Sequence, residues 1–527
     1  MKRCFINLAA ALVLATVLSL VWLTRAEAEV PAPILHNDNA YGSFGDWYTG
    51  AVPPRASPEK PVLLFVQGLH SDYGRWLGSD GYYEAAYNAG YRTAFVQLKD
   101  SAGAGGNMWT NGPVLADVIR KTASYYGVPK INIIAHSKGG IDSQTALVYY
   151  GASPYVNVVH QLSTPNKGSE LADIAYSNWA SWLAAILGLK DDAVYSLQTS
   201  YMANFRAQTD SRSENNATIT YMSAGTGDDG WFTGSWFAHA FLPGADDGAV
   251  TVGSAMGLPY GIDSFTKNIS HTAMARASQT WSLVQPKLSA DSTRSSVSAL
   301  AAPTNESASA QEDGDMILRG GVVEGSGSVS IPLESGIGRV SLEVMTAIDD
   351  TNVKLISPSG RVYRPKVSHA SDSEPVFSRA ARHLFQLNKP ESGDWSIQLS
   401  GKKDAYFALA RIEGPNKTSL NAGKKVYRKG EAARISVDFG GSIVKGSAKR
   451  PSLNKSAAGN AAAQSKALPE TAIAEDGRLQ LPFQAPAEPG VYNLSFDVVG
   501  INGKGEKVTR SVNYNFAVTD EQGNIEN

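Results

Sequence analysis

The chain has 527 residues, too many for one hydrophobic core and enough for two to four domains. Hydrophobic residues make up 43% and charged residues 18%, which is ordinary globular composition. A net charge of −2 provides no basic footprint of the kind nucleic-acid binding needs, so that class of partner is set aside.

Residues 1–28 read as a signal peptide rather than as part of a fold. Lys2 and Arg3 precede an apolar run that ends near Leu23, and Ala26-Glu27-Ala28 supplies a small-residue cleavage pattern. The expected outcome is a secreted chain; an uncleaved segment would leave it anchored, or periplasmic. The single cysteine, Cys4, lies in this segment, so the mature chain has no disulfide framework, thiolate metal site or cysteine nucleophile.

From 29 to 288 strand and helix signals alternate. Buried-strand runs occur at 61–66, 91–98, 130–135 and 156–163. Helical periodicity covers 112–126, where Pro113 suits a first turn, and 139–150, closed by Gly151. This alternation predicts a mostly parallel sheet with helices on both faces. Residues 289–313, rich in serine, alanine and acidic side chains, read as a flexible linker. Beyond them the signals are almost all β. Short alternating strands separated by Gly, Pro, Asp and Ser predict a β-sandwich module at 314–414 and a second, Ig-like one at 415–522. A low-complexity stretch near 444–476 is expected to be a mobile insertion in the second.

The strand at 130–135 runs into "AHSKGG". A serine between a strand and a helix, flanked by small residues at Ala135 and Gly139, is the pattern of a nucleophile elbow. Such a serine needs a base. Of eight histidines, His369 and His383 fall in the β region, and His36 and His70 precede the serine. His136 is expected to point away from Ser137, and His160 lies within a strand, which leaves His239 and His271. The order serine, acid, histidine then selects Asp247, in "GADDGAV", and His271, in "KNISHTAM". The amides of Lys138 and Leu69 are the expected oxyanion donors, the second following the turn at Gly68.

The segments "FVQGL", "AHSKGG", "LSTPNKGSELAD", "DDGAV" and "ISHTAM" resemble the bacterial true-lipase family of α/β hydrolases, in an Ala-x-Ser-x-Gly variant, over about half the chain. The resemblance implies an α/β-hydrolase domain with Ser137 as nucleophile, Asp247 and His271 as its partners, and the Leu69 and Lys138 amides as oxyanion hole. Three positions depart from the family. Gln67 and Asn166 stand where histidines are usual, and Ala273 stands where calcium-binding members carry an aspartate. No metal or other cofactor is expected.

The implied activity is acyl transfer through Ser137 on an ester substrate, a lipid or a polyester. Residues 172–189 are apolar and lie where family members carry a lid over the acyl pocket; burial in the core is the other reading. Five aromatics crowd 230–244. An apolar rim would favour medium- to long-chain acyl esters. The β modules are similar to those appended to bacterial surface and exported proteins. They could contact a cell surface, an insoluble substrate or the catalytic domain, or serve only as a spacer. The alternatives to a lipase are a polyhydroxyalkanoate-type polyester esterase and a non-catalytic surface or adhesion protein. Oligomeric state is not legible in the sequence.

Overall fold

Short runs of branched and aromatic residues, bounded by Gly, Pro and Asp, build an eight-stranded sheet in the first half of the chain. Its strands are β1 (Ile34–His36), β2 (Trp47–Thr49), β3 (Leu63–Val66), β4 (Thr93–Val96), β5 (Ile131–His136), β6 (Val156–Leu162), β7 (Ile219–Gly225) and β8 (Ile262–Lys267). The order is β1-β2-β4-β3-β5-β6-β7-β8. Strands β3 to β8 run parallel, and β1 and β2 add an antiparallel edge. The computed structural model describes residues 30–527 except 103–104, 228–237, 240, 290–311, 314, 370–379, 422, 440–442, 458–464, 471–477 and 526–527. The expected signal segment, nearly all of the linker and most of the aromatic stretch before Asp247 therefore lie outside the described residues. Among the described residues no helix is long and apolar enough to cross a membrane.

Strands β3, β4 and β5 are buried along their whole length, as expected of central strands covered on both faces. The helices around the sheet are α1 (Tyr82–Asn88), α2 (Met108–Tyr126), α3 (Gly139–Tyr149), α4 (Glu170–Ala175), α5 (Ser181–Ile186), α6 (Asp192–Ser196), α7 (Thr199–Thr209), α8 (Val252–Ala255) and α9 (Ala277–Val284). Helix α2 starts four residues before its expected position at 112. The Asn107 side chain caps it by accepting from the Thr110 amide at 2.9 Å. Pro113 thus sits inside the helix, where it cannot donate to the Trp109 carbonyl four residues back. The Tyr150 hydroxyl donates to that carbonyl instead, at 3.2 Å.

The second half is antiparallel β almost throughout, as its alternating pattern predicts. In the first module the 21-residue strand Gly393–Glu413 is the spine, paired with Met316–Leu333, Arg339–Thr346 and Asn352–Ile356. The second module packs a four-stranded against a five-stranded sheet around Ile435, Leu481, Leu494, Phe496 and Phe516. Two expectations are corrected here. Residues Ile443–Lys455, placed in a mobile insertion, form a strand paired with Gly490–Asn502. Alternate positions such as Ala448 and Leu453 reach the core despite the low-complexity composition. Residues Glu312–Asp313, assigned to the linker, pair with Ser419–Asn421 at the edge of the four-stranded sheet. The two modules are bolted together by Arg510, which is fully buried and holds Glu334 by two bonds of 2.5 and 3.2 Å.

The β half also packs on the first domain. Leu171, Ile174, Tyr176, Leu183 and Leu189 share one apolar cluster with Leu318, Met345, Phe407 and Leu409 of the first module and with Val491 and Ala517 of the second. The polar part of this seam centres on Gln198. Its side-chain oxygen accepts from Asn515 at 3.0 Å, from Ser456 at 3.0 Å and from Asn493 at 3.3 Å. The apolar stretch 172–189 is therefore mostly core, but a core made jointly with the β modules. Trp182 and Ile186, one helical turn apart on α5, stay 57% and 58% exposed.

Candidate active site

The sheet order reverses direction between β3 and β5, and the loops leaving their C-terminal ends frame a crevice there. Ser137 follows β5 directly with φ of +54°, a left-handed conformation that costs a serine energy and turns its side chain out of the strand. The corner is possible because its neighbours lack bulk. A Cβ on Gly140 would sit 2.1 Å from Thr164 Oγ1, and one on Gly139 would sit 2.3 Å from the Gln67 carbonyl. The Ser137 amide stays in the sheet, donating to the Leu162 carbonyl at 2.9 Å.

The three residues selected from sequence order come together. Ser137 Oγ lies 3.0 Å from His271 Nε2, and His271 Nδ1 lies 2.9 Å from Asp247 Oδ2. A carboxylate only accepts, so Nδ1 carries the proton and Nε2 presents its lone pair to the serine hydroxyl. The other oxygen of Asp247 accepts from the amides of Ala249 at 3.1 Å and Val250 at 2.8 Å. The Asp247 carbonyl accepts from the His271 amide at 2.9 Å, which locks the two loops together. His239, the other candidate base, pairs instead with Asp246.

The crevice above Ser137 has a volume of about 530 Å³ and is lined by Leu69, His70, Arg75, His136, His271 and Arg276, among others. Leu69, three residues past β3, lines this crevice with Ser137, and Lys138, the next residue after the serine, is the N-cap of α3. His70, with φ of +49°, reaches from this loop to Asp191 Oδ2 at 2.5 Å. Of the departures from the lipase pattern, Gln67 is buried; with its amide turned so that both ends are satisfied, it donates to the Val96 carbonyl at 2.9 Å and accepts from the Leu98 amide at 2.8 Å. Asn166 is buried too, donating to Gln161 at 2.8 Å and to the Ala255 carbonyl at 2.9 Å. Gln67 ties the loop after β3 to the end of β4, and Asn166 ties the loop after β6 to α8.

Two groups at the site were not selected from the sequence. His136, expected to point away, turns its ring to within 4.8 Å of the His271 ring and shares a bond of 2.9 Å with the His271 carbonyl. A carbonyl only accepts, so Nε2 of His136 donates. Burial, and after it the nearby Arg75 charge, holds its pKa well below the usual imidazole range, so the ring is neutral. His136→Phe removes this brace and keeps the packing. A lost hydrogen bond of about 0.5–1.5 kcal/mol should lower kcat for ester hydrolysis roughly two- to tenfold. Steady-state kinetics check this, and an unchanged kcat would show that the bond positions nothing. The second group is the Lys138 side chain, which runs inward, fully buried, to Asp100 and Asp142. Burial opposes its charge, but the two carboxylates outweigh that and raise its pKa. Burial also pushes the Asp142 carboxyl up to about 6, with Lys138 pulling down and Asp100 pushing up.

A mostly parallel sheet carrying a hydrogen-bonded Ser–His–Asp set at a strand-to-helix corner defines the α/β-hydrolase fold, here followed by β-sandwich modules. Among solved structures the chain is similar to the lipase BlEst2 of Bacillus licheniformis in its propeptide form. The match has 28% identity and a TM-score of 0.74, and covers 92% of this chain and all of that one. The mature form of the same lipase matches at 39% identity over 47% of this chain and all of that one, with a TM-score of 0.44. No protein-family model and no curated protein matches the sequence. This likeness to a lipase supports an ester hydrolase; a true-lipase assignment rests on the sequence motifs alone.

Proposed function

We propose that this chain is an exported serine ester hydrolase, a lipase that cleaves medium- to long-chain acyl esters through an acyl-enzyme on Ser137. The observation that carries the reading is the continuous relay from Ser137 Oγ through His271 to Asp247, at 3.0 and 2.9 Å. His271 Nε2 takes the hydroxyl proton as Oγ bonds to the ester carbonyl carbon. The negative charge that develops on the carbonyl oxygen meets the Leu69 and Lys138 amides, and loss of one such donor costs about 10²–10³ in rate. His271 then passes its proton to the alkoxide, the ester C–O bond breaks, and the alcohol leaves. Water repeats the sequence and releases the acid. Asp247 holds the imidazole in the working tautomer throughout.

The acyl-chain reading is supported by the similarity to a lipase and by the apolar segment Leu171–Leu189, against whose cluster Leu69 of the crevice packs. A series of chromogenic esters from acetyl to palmitoyl tests it, with emulsified triglyceride and a polyester film as further substrates. The highest kcat/KM is expected at eight carbons or more. Activity confined to acetyl and butyryl esters rejects a lipase, and clearing of the film without triglyceride hydrolysis favours a polyester esterase.

We infer also that the β half acts as a propeptide. Its support is the similarity, over nearly the whole chain, to a lipase solved in propeptide form, together with the seam on Leu171–Leu189. In this reading the modules keep that segment closed until they are released.

A further inference from the structure

The Lys138 side chain has no role in the mechanism above, yet it is among the most deeply buried charges in the protein. Nζ lies 3.1 Å from Asp100 Oδ2, 3.1 Å from Asp142 Oδ1 and 2.9 Å from Asp142 Oδ2. Asn111 closes the cluster, donating to Asp100 at 2.6 Å and to Asp142 at 3.1 Å. These four residues come from separate elements: the turn after β4, helix α2, the elbow and helix α3. All four are at most 1% exposed. Taking one cation and two carboxylates out of water is costly and is not the simplest way to fill a core. What the arrangement provides is position, because it ties the peptide that carries the Lys138 amide to three surrounding walls.

We propose that Lys138 is a positioning residue of the oxyanion hole: its side chain, clamped by Asp100 and Asp142, which Asn111 braces, sets the direction of its own backbone N–H toward the reacting oxygen. A preorganised donor stabilises the transition state because it needs no rearrangement as charge appears. An elbow in a left-handed turn is a strained place to hold a peptide plane, and a side chain anchored on rigid elements resists its relaxation. This inference rests on Ser137 being the nucleophile.

The test compares wild type, Lys138→Met and Lys138→Met/Asp100→Asn/Asp142→Asn in the full chain. The triple variant removes the cation together with both of its carboxylates, so no buried charge is left unpaired and folding is protected. Each protein is assayed for kcat, KM, thermal midpoint, and inhibition by an alkyl boronic acid, whose tetrahedral adduct on serine places an oxygen in the hole. The expected result is a loss in kcat of roughly 10²-fold in both variants and a matching rise in boronate Ki. KM should stay within about threefold, and the triple variant should have a near-normal thermal midpoint. A kcat for either variant within about threefold of wild type overturns the proposal and leaves Lys138 as charge balance alone. Wild type that neither cleaves esters nor reacts with a fluorophosphonate fails differently: it removes the reading of the site on which the proposal stands.

Discussion

Ser137→Ala should lose ester hydrolysis by roughly 10⁴-fold or more and lose all labelling by a fluorophosphonate, while folding normally. Among the described residues the hydroxyl bonds only to His271, so its removal costs stability no more than one hydrogen bond, about 0.5–1.5 kcal/mol. Asp247→Asn is the sharper companion. The carboxylate's Oδ1 is held by two amide donors, from Ala249 and Val250. An asparagine must therefore keep its oxygen there and turn its NH₂ toward His271 Nδ1. That nitrogen becomes an acceptor, the ring proton moves to Nε2, and the lone pair that faced Ser137 is gone. A loss near 10⁴ in kcat with a nearly unchanged fold is the expected result. Activity above about 1% in the alanine variant, or within tenfold of wild type in the asparagine variant, would place the chemistry elsewhere.

The parts of this protein that depend on neighbours in sequence were legible in the sequence. Strands β3 to β6 announce themselves as apolar runs, and the elbow as a serine among small residues. Asp247 and His271, selected by their order along the chain, meet Ser137 in one hydrogen-bonded row. What could not be read are contacts made by residues far apart. His136 sits at the end of β5, and nothing local says that the loop carrying His271 lands on it, 135 residues later. Nothing local marks the Lys138 side chain as buried, because its partner Asp100 is 38 positions away. The stretch Leu171–Leu189 reads equally as lid or core until Phe407 and Val491 are seen packed on it. The strand Ile443–Lys455 was missed because lysine, serine and glycine dominate its outward face, while pairing with Gly490–Asn502 supplies the order its composition does not.

Gly320→Val should raise ester hydrolysis by loosening the grip of the β half. Gly320 lies in the strand Met316–Leu333 where it passes the chain leading into α5. A Cβ there would stand 1.8 Å from the Trp179 carbonyl oxygen, a backbone atom that cannot swing away. Overpacking of this kind costs about 1–3 kcal/mol, and the added γ-carbons of valine push it to the upper end. The strand's own pairing with Gly393–Glu413 is long, from Met316 opposite Arg411 to Leu333 opposite Gly393, so the strain is relieved at the seam before it unzips the module. If docking is what keeps the segment Leu171–Leu189 closed, a loss of 2 kcal/mol multiplies the open population by about 30 while that state is rare, since 1.4 kcal/mol is a factor of ten. Hydrolysis of a long-chain ester should rise by up to that factor, with faster hydrogen exchange at Gln198 and along α5. Gln198→Ala, which strips the acceptor shared by Ser456, Asn493 and Asn515, should act in the same direction. Faster exchange at the seam with no gain in activity would mean that the β half docks on the hydrolase without restraining it.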